Sequence, residues 1–390
     1  MSLLSAVWPP KGSSCTPGRE PPPASFRSPP ERTWSRRNRM GSLSPCAGGA
    51  KGDDAVRVVL LARLFYSGQT THTVELAREL ARQGHTVALL SHGPCHLAAW
   101  THACRTLERE GVACHRHARP GEALAAAVQL DPQILHVHSS DLLPLAAQVA
   151  AETGAPVIFT AHGLGTLRQP LVKKADRVIA VGPRVHQELC AGGVQRLALV
   201  GNGVDTDRFR PGKKGRTLQV AFVGRVDETK RRGLDELIEA VAMIPRVRLV
   251  VASNQRPSHP RCVAAGWLWD VAPLLAESHV VAGAGRAIRE GMASGCVGLL
   301  LGSAYGGVVS PAALSRGRGG ALWFPASDGD PPDRQSIRRD LVRLVQDERH
   351  RRALARWSRE YAVRHFSLKR MAREVVSVYA DALAERAAVG

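Results

Sequence analysis

From Ala55 onward, short apolar runs alternate with amphipathic stretches. The run AVRVVLLARLF at 55–65 reads as a buried strand, continuously apolar as strands covered on both faces are. Residues 67–84 then give a loop and a helix with Val74, Leu76, Ala77, Leu80 and Ala81 as apolar positions and Gly84 as its stop. HTVALLSHG is the next strand. ILHVHSS, PVIFTAH, RVIAVG and LALVG follow, separated by helical stretches such as 142–152 and 183–190. The pattern breaks over 202–217, where Asn202, Gly203, Asp205 and Pro211 are turn formers between apolar runs. It restarts with LQVAFVG, a helix over 234–243, VRLVVAS, a helix over 286–294 and CVGLLLG. Three helical stretches close the chain, the last over about 368–388. Strands alternating with helices imply parallel sheets with right-handed crossovers. The predicted fold is therefore α/β, with two successive Rossmann-like sheets. No repeat of solenoid period is present.

Residues 1–54 are rich in Pro, Ser, Gly and Arg and lack apolar periodicity. They read as a disordered extension, or as sequence upstream of a start near Met40. The expected domains are 55–205, joined by the terminal helix 368–390, and 206–367. Lys plus Arg exceed Asp plus Glu by 53 − 34 = 19. Such a charge suits nucleic acid, an anionic membrane surface or phosphate-rich substrates. The basic residues are spread widely, with no aromatic-interleaved basic stripe, so nucleic acid is not expected as a partner. Eight cysteines without a C-x-x-C pair fit a reduced, cytoplasmic protein better than a disulfide framework or zinc site. No apolar run is long enough to span a bilayer, and no secretory h-region is present. The expected location is cytoplasmic, with peripheral attachment to an anionic membrane face suggested by the charge.

Ligands of open α/β sheets sit beyond the carboxyl ends of strands, so those ends carry the candidate chemistry. The first presents Gly68 and Gln69 in a small loop. ILHVHSSD places His136 and His138 on one strand face, a spacing that serves metal ligation or plain packing. No consistent set of further ligands accompanies them, so no metal is expected. PVIFTAHG ends in His162 and Gly163, and an imidazole there donates to a hydroxyl or a phosphate oxygen. A satisfied buried histidine is the alternative. The strand 218–223 ends in Gly224 and Arg225, with Lys230 close behind. Two fixed cations there suit a diphosphate; a solvated surface cluster is the alternative. Gly283, Gly285 and the helix starting at Arg286 direct backbone amides toward the same place. Glu290 offers a carboxylate to vicinal hydroxyls. Asp328, Gly329 and Asp330, bracketed by Pro325 and Pro331, read as a turn.

The hinge VGNGVDTDRFRPGKK, the G-R pair with Lys five positions after the Arg, and REGMASG together resemble retaining GT-B glycosyltransferases of glycosyltransferase family 4, over roughly 56–388. The resemblance implies a GT-B fold with a central cleft and a terminal helix, HFSLKRMAREVVSVYADAL, crossing back onto the N-terminal domain. It implies metal-independent, retaining transfer from a nucleotide-diphosphate sugar to an acceptor such as a cell-envelope or lipid-linked glycan, with no cofactor. By the same resemblance His162, Arg225 and Lys230 are catalytic. His162 meets the donor sugar, and the two cations hold the diphosphate. Donor-binding residues are Gly68 and Gln69, Gly283, Gly285 and Arg286, Glu290 at the ribose, and Tyr305 and Gly306 in a glycine-pair segment. GGALWFPASDGD resembles the family's G-x-L-V-x-P-x-D segment. Ala282 stands eight positions before Glu290, where the family carries a sugar-contacting Glu. That departure keeps two alternatives open: a catalytically weak relative that binds a nucleotide-sugar or glycan, and a nucleotide-sugar epimerase of the same fold.

Overall fold

The computed structural model describes residues 55–316, 324–325, 327 and 329–389. The expectations for residues 1–54, for 319–323 and 326 of GGALWFPASDGD and for Asp328 lie outside the described residues.

The first sheet contains β1 (Arg57–Leu61), β2 (Thr86–His92), β3 (Ala113–His117), β4 (Ile134–Val137), β5 (Val157–Ala161), β6 (Arg177–Ala180) and β7 (Leu197–Leu199). All pairings are parallel, in the order β3-β2-β1-β4-β5-β6-β7. Helices α1 (Gly68–Arg82), α2 (Leu97–Glu108), α3 (Pro120–Gln129), α4 (Leu143–Thr153) and α5 (Pro183–Ala191) supply the crossovers. Strands β4 and β5 are buried along their whole length, which is why they read as unbroken apolar runs. β3, with the sequence ACHRH, was not anticipated. It is a half-buried edge strand, so nothing forces its side chains to be apolar.

The second sheet has the order β10-β9-β8-β11-β12-β13. Its strands are β8 (Leu218–Val223), β9 (Val247–Ala252), β10 (Cys262–Ala264), β11 (Val280–Gly283), β12 (Val297–Leu301) and β13 (Tyr305–Val308). Only β13 runs antiparallel among the described strands of this sheet. The helices here are α6 (Glu228–Ala242), α7 (Ala272–Glu277), α8 (Arg286–Ala293), α9 (Pro311–Ser315), α10 (Arg334–Gln346) and α11 (Glu348–His365). α6 starts six residues before the expected 234, because Asp227 begins it and its first turn is the charged ETKRR run. Two core clusters cover the faces of each sheet.

The chain passes between the sheets twice, and the two passages touch. Val204 donates its N–H to Phe366 O at 2.7 Å, and Leu368 donates to Val204 O at 3.0 Å. Gly203 permits this approach, since a Cβ there would stand 2.7 Å from Leu368 Cα. Beyond the crossing, α12 (Leu368–Val389) returns to the first sheet. Its Met371, Val375, Val378 and Tyr379 pack with Leu76 and Leu80 of α1 and with Val58 and Leu60 of β1.

Candidate active site

A cavity of about 630 Å³ is lined by residues at the carboxyl ends of β5, β8, β9 and β11, the start of α1 and the start of α8. Of the residues singled out from sequence, it brings together Gly68, His162, Arg225, Lys230, Gly283, Gly285, Arg286 and Glu290. Arg225 follows β8, is exposed, and makes no hydrogen bond or ion pair among the described residues. Lys230 lies in the first turn of α6, 3.1 Å from Asp227 Oδ2. Thr229 and Lys230 hold the Asp227 carboxyl down to about 2. The turn from β11 into α8 is only Ala284 and Gly285. Gly283 has φ +157°, and a Cβ on it would meet Val223 O at 2.8 Å, so the strand ends reach the cavity as bare backbone.

The short turn also explains Ala282. This residue is inside β11 and fully buried in the core of the second sheet. A carboxylate eight positions before Glu290 would therefore point into packed side chains, and Ala282 is a core residue rather than a lost sugar contact. Arg286 occupies the helix start instead. Its guanidinium pairs with Glu290 Oε1 at 2.6 Å, with Glu75 of α1, and with Gly203 O at 3.2 Å. The three ionic side chains are nearly inaccessible, so this is a buried acid–base–acid triad joining the two sheets' helices. Burial pushes the Glu290 carboxyl up while the guanidinium pulls it down, and the net direction is upward. Burial opposes the charge on Arg286, yet the two carboxylates raise its pKa overall.

Behind the cavity four imidazoles gather. His136 is fully satisfied: Nδ1 lies 2.6 Å from Tyr379 Oη and Nε2 2.7 Å from Thr160 Oγ1. His138 Nδ1 is 3.0 Å from His162 Nε2, and the His72 ring stands 4.8 Å from His162 and 5.4 Å from His138 between centroids. Burial, then the neighbouring imidazoles, puts His72 and His138 well below the ordinary histidine value. Burial brings His162 to about 3 and, with His162 beside it, His136 to about 3 as well. All four are neutral bases at pH 7.

A second cavity of about 460 Å³ adjoins the first through His162, which lines both. Gln69 belongs to this second cavity, where its Nε2 donates to Ser139 Oγ at 2.8 Å. Tyr305 and Gly306 line neither. The Tyr305 hydroxyl donates to Asp340 Oδ2 at 2.6 Å, and its backbone pairs β13 with β12 and with Asp330. The glycine-pair segment is thus spent on sheet structure here. An aromatic group at the cavity was not anticipated. Trp267 and Trp269, in the loop after β10, stand 5.2 and 5.0 Å from Tyr66, and Trp269 stacks on His102 at 4.5 Å. Two tryptophans in GWLWD just past a strand end were the available signal.

Two Rossmann-like sheets, a paired chain crossing, a returning terminal helix and a cavity at the carboxyl ends of both sheets define a protein of the GT-B fold. Residues 66–208 match the model for Glycosyltransferase Family 4. A sequence comparison with curated proteins finds no match. Among solved structures it is similar to Anabaena Alr3699/HepE in complex with UDP and glucose, at 15% identity and TM-score 0.65, over 84% of this chain and 100% of that one. A Rickettsia africae glycosyltransferase gives 16% identity, TM-score 0.65 and coverage of 84% and 99%. A point mutant of Staphylococcus aureus TarM, in complex with fondaparinux, α-GlcNAc-glycerol and UDP, gives 9% identity, TM-score 0.62 and coverage of 83% and 99%. No described helix is long and apolar enough to cross a membrane.

Proposed function

We propose that the protein transfers a glycosyl group from a nucleotide-diphosphate sugar to an acceptor with retention of anomeric configuration. The observation that carries this reading is the meeting, in one cavity, of His162 from the first sheet with Arg225, Lys230, the α8 N-terminus and Glu290 from the second. The diphosphate sits against Arg225 and Lys230, whose charge stabilises the leaving group as the sugar–phosphate bond breaks. Those cations do at the diphosphate what a metal ion does in other transferases, so none is required there. Glu290, at the cavity wall, receives the ribose hydroxyls. The neutral His162 contacts the donor sugar, and the acceptor approaches through the second cavity, which His162 also lines. Among the described residues lining the first cavity Glu290 is the one carboxylate, and it is taken by Arg286 and the ribose. The acceptor oxygen therefore attacks from the leaving-group side, forming the new C1–O bond while the departing phosphate oxygen takes the acceptor proton. The similar HepE and TarM structures are complexes with UDP, which makes UDP the first nucleotide to test.

The test is thermal unfolding with UDP, GDP, ADP and their sugar conjugates, on the wild type and on Lys230→Ala. A nucleotide at about 100 times its Kd stabilises by about 2.7 kcal/mol. One nucleotide should shift the wild type and not the variant; no shift with any of them would sink the reading. NMR of the product anomer checks retention. The basic charge favours work at an anionic membrane face, and with it a lipid-linked or cell-envelope acceptor. Flotation with anionic liposomes tests this, and equal binding to neutral vesicles refutes it.

A further inference from the structure

We propose that His72, His138 and His162 form a binding site for one divalent transition-metal ion, with zinc as the best-suited occupant. The three residues come from separate rigid elements: α1, the end of β4 and the end of β5. Each offers a ligand nitrogen, and the three nitrogens lie within 4.8 Å of one another. Two imidazoles on a tetrahedral zinc, at Zn–N distances of about 2.0–2.1 Å, hold their nitrogens about 3.4 Å apart. His138 Nδ1 and His162 Nε2, at 3.0 Å, are already close to that spacing. His72 completes the set by a shift of about 1–1.5 Å of its ring edge, a small rotation of one side chain.

The second observation is independent of spacing. Both ring nitrogens of the buried His72 lack a well-formed hydrogen bond among the described residues, so one of them is available to the ion. Asn202 faces the His72 ring and interacts with it, but its buried Oδ1 makes no well-formed hydrogen bond, so the pair is only loosely satisfied. A buried polar atom left unpaired is costly unless something binds it. His136 shows the contrast: it belongs to the same H-x-H pair, yet Tyr379 and Thr160 satisfy both its nitrogens. His136 is packing and the other three are not. The fixed cation facing His72 is Arg286, and it is clamped between the Glu75 and Glu290 carboxylates, so a dication does not meet an unbalanced positive charge. A set of three imidazoles suits zinc, nickel or copper and not the oxygen-seeking magnesium or calcium. Because His162 lines both cavities, the fourth coordination position opens toward them. With Nε2 of His162 on the metal, the ring proton must sit on Nδ1, fixing that atom as the donor to the sugar. This last consequence rests on the glycosyl-transfer reading; the metal site does not.

The experiment uses the full, untagged chain, stripped with a chelator and titrated with zinc chloride and, separately, cobalt chloride. Zinc should bind at about one equivalent per chain by calorimetry, and cobalt should give the intense visible bands of a four-coordinate site. His72→Leu should lose about 100-fold or more in zinc affinity, because a ligand matters more than the outer partners whose loss costs about 10–100-fold. His115→Gln with His117→Gln, which alters a histidine pair outside the cluster, should change nothing. Equal zinc affinity in His72→Leu and wild type, or only the weak six-coordinate cobalt spectrum, overturns the proposal. If His72→Leu does not fold, the wild-type cobalt spectrum and His138→Gln decide it. A UDP-induced thermal shift in metal-free protein reports on donor binding separately, so failure of either idea is seen alone.

Discussion

Replacing Arg286 with Met removes one guanidinium and leaves two largely buried carboxylates facing each other beside the first cavity. The side chains of Glu75 and Glu290 are 3% and 8% exposed, so water does not take over the role of the lost cation. Removing one partner of a buried ion pair costs about 3–5 kcal/mol, and Arg286 is the shared partner of two pairs. We expect a loss of about 4 kcal/mol in urea-unfolding free energy at pH 7, with the m value unchanged. The cost has a pH signature. Burial already holds the Glu290 carboxyl above its ordinary, unfolded value of about 4.3, and without Arg286 nothing offsets that burial. A raised folded pKa gives stability that is present at acid pH and lost as pH rises through it. The deficit of Arg286→Met should therefore shrink as pH falls from neutral toward that unfolded value. A triple variant with Glu75→Gln and Glu290→Gln removes the two carboxylates left unpaired and should recover most of the loss. A deficit under about 1 kcal/mol at pH 7, or a triple variant no better than the single one, would refute the argument that burial makes this triad costly to break.

Trp267→Ala should weaken UDP binding by about 1–3 kcal/mol, the range for a base stacked on an aromatic ring, as read by tryptophan-fluorescence titration. Gly203→Val pushes a side chain into the Leu368 backbone and should cost about 1–3 kcal/mol in urea unfolding. Burial, aided by Lys214 and Arg351, lowers His279 from 6.5 to about 4. Its contribution to stability is therefore present above pH 6.5 and lost as pH falls toward 4. Calorimetric midpoints should fall less for His279→Gln than for wild type across that window.

The parts of the fold that were legible in sequence are those whose burial is decided within one sheet. β4, β5, β8 and β12 are apolar because helices cover both their faces, and α1 shows its core stripe at Leu76, Ala77 and Leu80. The unread parts depend on contacts between distant segments. Position after a strand was enough to place Arg225, Lys230 and His162 at the cavity; Tyr305, taken from the resemblance to a glycine-pair segment, lines neither cavity and bonds Asp340 in a helix 35 residues on. The E-x7-E spacing counts residues without fixing where the strand ends, and Ala282 falls inside β11. No local pattern marks Glu75 or His72 as buried, since both look like solvent-facing positions of an amphipathic helix.

That helix explains why the site and the domain junction are one structure. Gly68 lines the first cavity, Gln69 the second, His72 joins the imidazole cluster and Glu75 holds Arg286. His72 and Glu75 recur at three- and four-residue intervals from Gly68 and Gln69, so one side of α1 carries the chemistry while the adjoining face, with Leu76 and Leu80, packs on α12. α12 in turn starts at the crossing where Leu368 is hydrogen-bonded to Val204. Any rotation of the second domain about that crossing acts on α12 directly and on α1 through a close-packed interface, which transmits displacement rather than absorbing it. On the glycosyl-transfer reading, closure around a donor would move both cavities, the imidazoles and the ionic triad together. A site built on one helix face in this way needs no separate device to couple donor binding to acceptor access.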